Sequence, residues 1–157
     1  MPDLSRILTA SAPLTLASVA RGAQPLVMSD LARAAKGRAV FIAPDEAAMH
    51  SVAEAAKFFA PELEVIEFPA WDCLPYDRAS PALSVSAKRL AALHRMQSGK
   101  AGSQLLVTTA NAVLQRVLTP FRIRESVREF KQGTMIGHGS LSAVSYTHLT
   151  LPTKRIV

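Results

Sequence analysis

The residues of this chain that could carry chemistry cluster in one proline-rich stretch, residues 68–81, here called the Trp71 segment. It holds the only Trp and the only Cys of the chain, Trp71 and Cys73, and two carboxylates five residues apart, Asp72 and Asp77. Paired carboxylates can do acid–base chemistry or hold a metal ion, and a Cys needs a neighbouring base to act as a nucleophile. The segment contains no His and no third acid. Turn and capping roles are therefore favoured for both Asp residues, and no catalytic or metal-binding residue is assigned.

A phosphate-binding loop is another common functional motif, and the sequence lacks one at the position where a nucleotide-binding fold would place it. Such a loop needs Gly residues, so that backbone N–H groups can surround phosphate, and a Lys to neutralise the charge. Residues 18–25, at the end of the first predicted strand (residues 14–20), contain one Gly and no Lys. We therefore expect that the chain neither binds nor hydrolyses ATP and that it carries no cofactor.

Composition narrows the class of protein further. The 157 residues carry a net charge of +6, and 49% of them are hydrophobic, as expected for one globular α/β domain. Basic residues are scattered, and the one cluster, over residues 116–131, is interpreted as an exposed edge in preference to a nucleic-acid patch. The single Cys excludes an internal disulfide and a Cys-based zinc site. No apolar run is long enough to span a membrane, and we expect the protein to be cytoplasmic.

Hydrophobic periodicity predicts alternating strands and helices, and hence an α/β fold with a parallel sheet covered by helices. Strands are predicted over residues 14–20, 39–43, 63–68 and 105–108, with a further edge strand over 126–130; helices are predicted over 23–35, 45–59, 84–96 and 111–118. The Trp71 segment thus follows a strand at the carboxyl edge of the sheet, where α/β proteins usually bind ligands.

Finer expectations concern single residues. Asp45 should cap the second helix and Gly37 should end the first one. Ala87, Leu90 and Leu93 should face the core from the third helix. Trp71 and Tyr76 are predicted to anchor their segment to the sheet; stacking on a nucleic-acid base is the alternative.

The sequence of the Trp71 segment resembles a motif near the start of bacterial transcription-repair-coupling factors, P-W-(D/E)-x-L-P-Y-D-x-x-S-P. The residues that carry the resemblance are Trp71, Asp72, Leu74, Pro75, Tyr76, Asp77, Ser80 and Pro81. Residues 37–45, 58–65, 86–93 and 105–117 resemble further segments of that family in the same order. The resemblance extends over roughly residues 10–140.

This resemblance implies a fold and a function. In that family the region begins a module similar to the excision-repair subunit UvrB, a P-loop-NTPase-like, helicase-like domain with a degenerate nucleotide site. Residues 1–120 would form its first domain, and residues 121–143 the truncated start of a second subdomain. The full-length protein is a DNA translocase that removes stalled RNA polymerase and recruits nucleotide-excision repair. The chain would then be a non-catalytic, N-terminal interaction fragment.

The resemblance also implies partners and leaves alternatives open. The partners would be UvrA, RNA polymerase, DNA and the parent's own motor domains, which use ATP and Mg²⁺. Most of these contacts would lie outside this fragment. The main alternative is a UvrB-related helicase or nuclease subunit that binds ATP or DNA. A free-standing single-domain binding protein is a third.

The last residues do not continue the family pattern. Residues 144–157 begin Val-Ser-Tyr-Thr-His-Leu-Thr-Leu-Pro-Thr, which is similar to the translation of a transposon-derived sequencing adapter. We expect this tail to be an assembly artefact and exclude it from the fold; a natural β-strand is the alternative.

Overall fold

A computed structural model describes residues 4–73, 80–98 and 102–126 of the chain. The elements are α1 (Leu4–Thr9), a 3₁₀ turn (Arg21–Ala23), α2 (Gln24–Ala35), β1 (Arg38–Ala43), α3 (Glu46–Phe59), β2 (Glu64–Phe68), α4 (Leu83–Gln97), β3 (Gln104–Thr109), α5 (Ala110–Leu114) and α6 (Pro120–Ser126). The predicted α/β class with a parallel sheet is confirmed.

The three described strands form one parallel sheet in the order β1-β3-β2. Arg38 pairs with Gln104 at one end and Ala43 with Thr109 at the other, while Phe68 of β2 lies opposite Thr108. All three strands therefore end at the same edge, because parallel pairing gives them a common direction.

Helices cover the two faces of this sheet, and each face has its own core. Leu105 and Val107 of β3 pack with buried Ala, Val and Met residues of α2 and α3. Ile66 and Phe68 of β2 pack instead with Ala92 of α4. The alternation of side chains along a strand explains this division, since neighbouring residues point to opposite faces.

The ends of the helices follow from local chemistry. The Asp45 carboxylate accepts a hydrogen bond of 2.7 Å from the Ala48 N–H, which confirms the predicted cap of α3. Helix α2 ends at Ala35 as predicted, but the residue that stops it is Lys36, which takes the left-handed conformation (φ 49°), and Gly37 only follows it. A left-handed residue at this position is a common helix stop, although Gly usually supplies it.

Three predicted elements differ from the structure. The strand predicted over residues 14–20 is wrong: this stretch contains a turn and no strand, Ser18 has φ 60°, and Leu14 and Leu16 are exposed. The helix predicted over 111–118 ends at Leu114, because Gln115 turns to an extended conformation. In place of the start of a strand over 126–130, Ser126 ends α6, and residues 127–130 lie outside the described part.

The chain divides into two compact units, one ending at Val117 and the other beginning at Leu118. The first unit contains the sheet, and α6 lies in the second. The predicted subdomain start over 121–143 and the adapter-like tail from residue 144 lie almost wholly outside the described residues. None of the helices in the described ranges is long and apolar enough to cross a membrane.

Candidate functional site

The carboxyl edge of the sheet brings together the residues that follow each strand. Phe68 ends β2 and leads into Pro69, Ala70 and Trp71, while Thr109 ends β3 and caps α5 with its hydroxyl. The Thr108 hydroxyl donates a 2.8 Å hydrogen bond to the Phe68 carbonyl and so joins the ends of the two strands. The start of the Trp71 segment is thus fixed to the sheet.

A buried arginine lies at the centre of this edge. Arg89 of α4 is only 2% exposed. Its guanidinium carbon lies 4.2 Å from the ring centroid of Phe68 and 4.4 Å from that of Trp71. Contacts of this length between a guanidinium and an aromatic face are attractive, and they strengthen when water is excluded. We call these three residues the Arg89 stack.

Hydrogen bonds connect the Arg89 stack to a third segment. Arg89 Nη1 donates to the Pro69 carbonyl at 2.5 Å and to Gln115 Oε1 at 3.1 Å. The same Gln115 oxygen accepts a 2.8 Å hydrogen bond from the Trp71 N–H. One arginine and one amide therefore hold together the end of β2, helix α4 and the chain after α5.

The charge of Arg89 is compensated in an unusual way. Within the described ranges no carboxylate forms an ion pair with it, and its buried Nη2 has no hydrogen-bond partner. Burial lowers the pKa of Arg89 below its ordinary value, but an arginine remains protonated at neutral pH. Among the described residues, the Pro69 carbonyl, the Gln115 amide oxygen and the rings of Phe68 and Trp71 stabilise this cation.

The structure places four of the eight residues of the family motif. Trp71 and Pro81 are half-buried, and Asp72 and Ser80 are exposed. Both Asp72 carboxylate oxygens accept from the Ala82 N–H at 3.2 Å, directly before α4 begins. Leu74, Pro75, Tyr76 and Asp77 lie outside the described residues, so an Asp72–Asp77 pair is not part of the described site. Cys73 is a free, half-buried thiol.

Beside the Arg89 stack lies a cleft of about 320 Å³ between α3 and α4. Carboxylates of Glu46, Glu67 and Asp72 line it, together with His50 and Lys88, over an apolar lining of Met49, Pro69, Ala70 and Val85. Acidic groups outnumber basic ones in this lining. The cleft is therefore a poor place for a polyphosphate, because like charges repel.

An ion-pair network lies along one side of the cleft. Lys57 Nζ lies 2.7 Å from Glu54 Oε1 and 2.8 Å from Glu67 Oε1, and His50 Nδ1 lies 3.3 Å from Glu67 Oε2. Partial burial of Glu67 opposes its ionisation, but the hydrogen bonds from Lys57 and His50 outweigh burial and lower its pKa. The hydrogen bonds to Glu54 and Glu67 in turn raise the pKa of Lys57.

Sequence reasoning missed Arg89 and Gln115. It placed Ala87, Leu90 and Leu93 toward the core; half-buried Leu93 does pack against the core of β2, but Ala87 is exposed. The fully buried residues of α4 are Arg89 and Ala92. The sequence did contain an indication that Arg89 is buried, since it lies in a stripe at helical spacing with Val85, Ala92 and Met96. The three apolar members of that stripe indicate that the arginine between them is buried.

The N-terminal region contributes no phosphate-binding loop to the described edge. Residues 21–23 form a 3₁₀ turn, and α2 begins at Gln24 with Pro25 in its first turn. No strand precedes this turn in the described part of the chain, so the strand–loop–helix geometry of a phosphate site is not formed over residues 14–35.

Comparison with known proteins identifies similar sequences. The chain is 29% identical over 118 residues to a transcription-repair-coupling factor of Haemophilus influenzae, a match that covers 75% of this chain and 10% of that protein. It is 34% identical over 62 residues to the corresponding factor of Rickettsia bellii, which covers 40% of this chain and 5% of the relative. No family model matches the chain, and no solved structure matches it.

These matches confirm the predicted resemblance to transcription-repair-coupling factors. The chain spans about a tenth or less of the length of the curated relatives that it matches.

Proposed function

We propose that this chain is a non-catalytic interaction and regulatory module of a transcription-repair-coupling factor. Residues 1–120 would form a UvrB-like, P-loop-related domain without a working nucleotide site, and residues 121–143 would begin a second subdomain. The parent would couple the removal of stalled RNA polymerase to nucleotide-excision repair. In this proposal the motor that uses ATP and Mg²⁺ lies elsewhere in the parent, and this part needs no cofactor.

The observation that carries the proposal is the filled carboxyl edge of the sheet. An α/β protein that binds nucleotide keeps this edge open and presents several backbone N–H groups to the phosphates. Here the Arg89 stack and Pro69 occupy the end of β2, and the guanidinium lies over the rings of Phe68 and Trp71. Arg89, the one strongly buried cation of the described edge, therefore interacts with groups of the protein itself.

Charge and sequence support the same conclusion. The cleft beside the stack carries three carboxylates, from Glu46, Glu67 and Asp72. Residues 18–25 lack the Lys and the set of Gly residues that a triphosphate requires. These features support a domain that binds other proteins in preference to one that activates a phosphate.

The similarity to two transcription-repair-coupling factors supports the choice of parent. On that basis we propose the parent's own motor domains, UvrA, RNA polymerase and DNA as partners, with most contacts made by residues outside this chain. The proposed location is the cytoplasm, where these partners act.

An independent read of the genomic DNA tests the proposal. If the chain is part of such a factor, the gene should continue in frame beyond the codon for Ala143 for many hundred codons, into polymerase-binding and motor domains. The sequence after this codon should also differ from the adapter-like residues 144–157. A stop codon directly after position 143 in the independent read would contradict the proposal.

A further inference from the structure

Three side chains with metal-ligand chemistry converge beside the cleft. His50 and Glu54 lie one turn apart on α3, and Glu67 lies on the adjacent strand β2. One donor atom from each residue lies within 4.8 Å of the other two. We propose that His50, Glu54 and Glu67 form a binding site for a divalent transition-metal ion, for which Lys57 is a built-in competitor.

The geometry fits a tetrahedral ion of the size of zinc. Bonds of about 2.0–2.2 Å to nitrogen and oxygen place neighbouring ligands about 3.4 Å apart in a tetrahedral site. His50 Nδ1 and Glu67 Oε2 are 3.3 Å apart. Glu54 offers an oxygen within 4.8 Å of both donors on a side chain that is 57% exposed, and water can supply the fourth ligand.

The ligands are attached to rigid elements. Helix α3 packs on the sheet through Val52, Ala53 and Ala56, all of them buried. The same helix places His50 and Glu54 on the side that faces Glu67. Donors on packed helices and strands keep their spacing better than donors on loops, which lowers the entropic cost of binding an ion.

The donor set selects the kind of ion. One imidazole and two carboxylates suit Zn²⁺ and its first-row neighbours, whereas Mg²⁺ and Ca²⁺ prefer oxygen ligands alone. The carboxylates already attract a cation, since Lys57 Nζ lies within 2.8 Å of both. The Lys57 side chain is 46% exposed, so its ammonium can move into water when a metal ion arrives.

Titration of the full chain with Zn²⁺ by calorimetry tests this site. We expect one saturable site per chain in the wild type. In Lys57→Met binding should be about tenfold tighter, because the metal ion no longer has to displace two part-exposed ion pairs. In Glu67→Gln and His50→Ala it should be weaker by about tenfold or more, because a direct ligand is lost.

Matched controls separate this site from general zinc binding. Glu46→Gln removes another carboxylate of the cleft, and His94→Ala removes another helical histidine; neither should change the affinity for Zn²⁺. Circular dichroism of each variant reports whether it is folded. Binding to Lys57→Met that is no tighter than binding to His50→Ala would overturn the proposal, as would a wild-type site that survives both Glu67→Gln and His50→Ala.

Discussion

At the scale of single residues, Arg89 determines how the Trp71 segment leaves the sheet. Among the described residues Arg89 has no carboxylate partner, and such a buried cation is costly unless its donors and its charge are satisfied in another way. Here the Pro69 carbonyl, Gln115 Oε1 and the rings of Phe68 and Trp71 surround it. These contacts link three segments that are far apart in sequence, so losing them should affect the whole carboxyl edge.

Replacing Arg89 with Ala should destabilise the first unit by about 2–3 kcal/mol, because the Pro69 carbonyl and the Gln115 amide lose a buried charged donor. Arg95→Ala is the matched control, since Arg95 lies on the exposed face of the same helix; it should change stability by no more than about 0.5 kcal/mol. Urea melts of both variants measure the difference. Equal midpoints for the two variants would refute a structural role for Arg89.

The stacking of Trp71 on Arg89 predicts a measurable coupling. Trp71 is half-buried, so Trp71→Ala should cost about 2 kcal/mol, less than the 3–5 kcal/mol typical of a fully buried Trp. A double-mutant cycle with Arg89→Ala should give a coupling of about 1 kcal/mol from the cation–π contact. Additive effects of the two changes would show that the rings and the guanidinium do not interact, and Trp71 would then become a candidate for binding a partner.

Contacts of single residues were the hardest feature to predict from the sequence. Asp45 was predicted correctly, because a helix cap depends only on residues within one turn. The Arg89 stack depends on contacts with Pro69, twenty residues away, and Gln115, twenty-six residues away. No local rule indicates that an arginine will be buried against those partners; only its position in an apolar stripe does so.

At the scale of elements, helix α3 and strand β2 are joined by a core and by charges. The core contributes most of the burial, and the network of Lys57, Glu54, Glu67 and His50 lies at its border. Part-exposed pairs of this kind contribute about 0.2–1 kcal/mol each. Their contribution depends on pH, whereas that of the core does not.

The lowered pKa of Glu67 gives a pH dependence with a defined sign. In the folded protein its carboxyl titrates below the ordinary value of 4.5, so the unfolded chain binds the proton more readily. The stabilisation is complete above pH 4.5, declines below it, and is lost once the pH falls below the pKa of the folded state. The stability difference between wild type and Glu67→Gln should therefore shrink as the solution is acidified below that value. Urea melts at a series of pH values measure it, and a difference that stays constant into the acid range would contradict the assignment.

Most elements could be predicted from hydrophobic pattern, and the failures have physical causes. Strands β1, β2 and β3 are apolar runs bounded by turn residues, which a pattern reveals. The run from Leu14 to Ala20 is equally apolar but has no described sheet neighbour, and its Leu residues are exposed. Helix α5 stops early because the side chain of Gln115 is bound by Trp71 and Arg89, which a pattern along one segment does not contain.

At the scale of the whole molecule, the motifs of the Trp71 segment and its neighbours predicted the similarity to transcription-repair-coupling factors, and the comparison confirms it over 118 residues. The expectation that the chain binds no nucleotide also comes from sequence, since a phosphate loop depends on residue types at fixed spacing, and it stays a prediction. The position of Arg89 at the carboxyl edge could not be predicted from the sequence, because it depends on how three separate segments pack together.

The central claim is that this carboxyl edge is closed to nucleotide. Calorimetric titration of the purified chain with Mg-ATP tests it most directly, with the titration of ATP into buffer as the control. The account predicts no saturable heat, because the Arg89 stack occupies the end of β2 and the neighbouring cleft is acidic. Saturable binding with a micromolar Kd at one site per chain would contradict the account and favour a UvrB-related subunit that binds ATP.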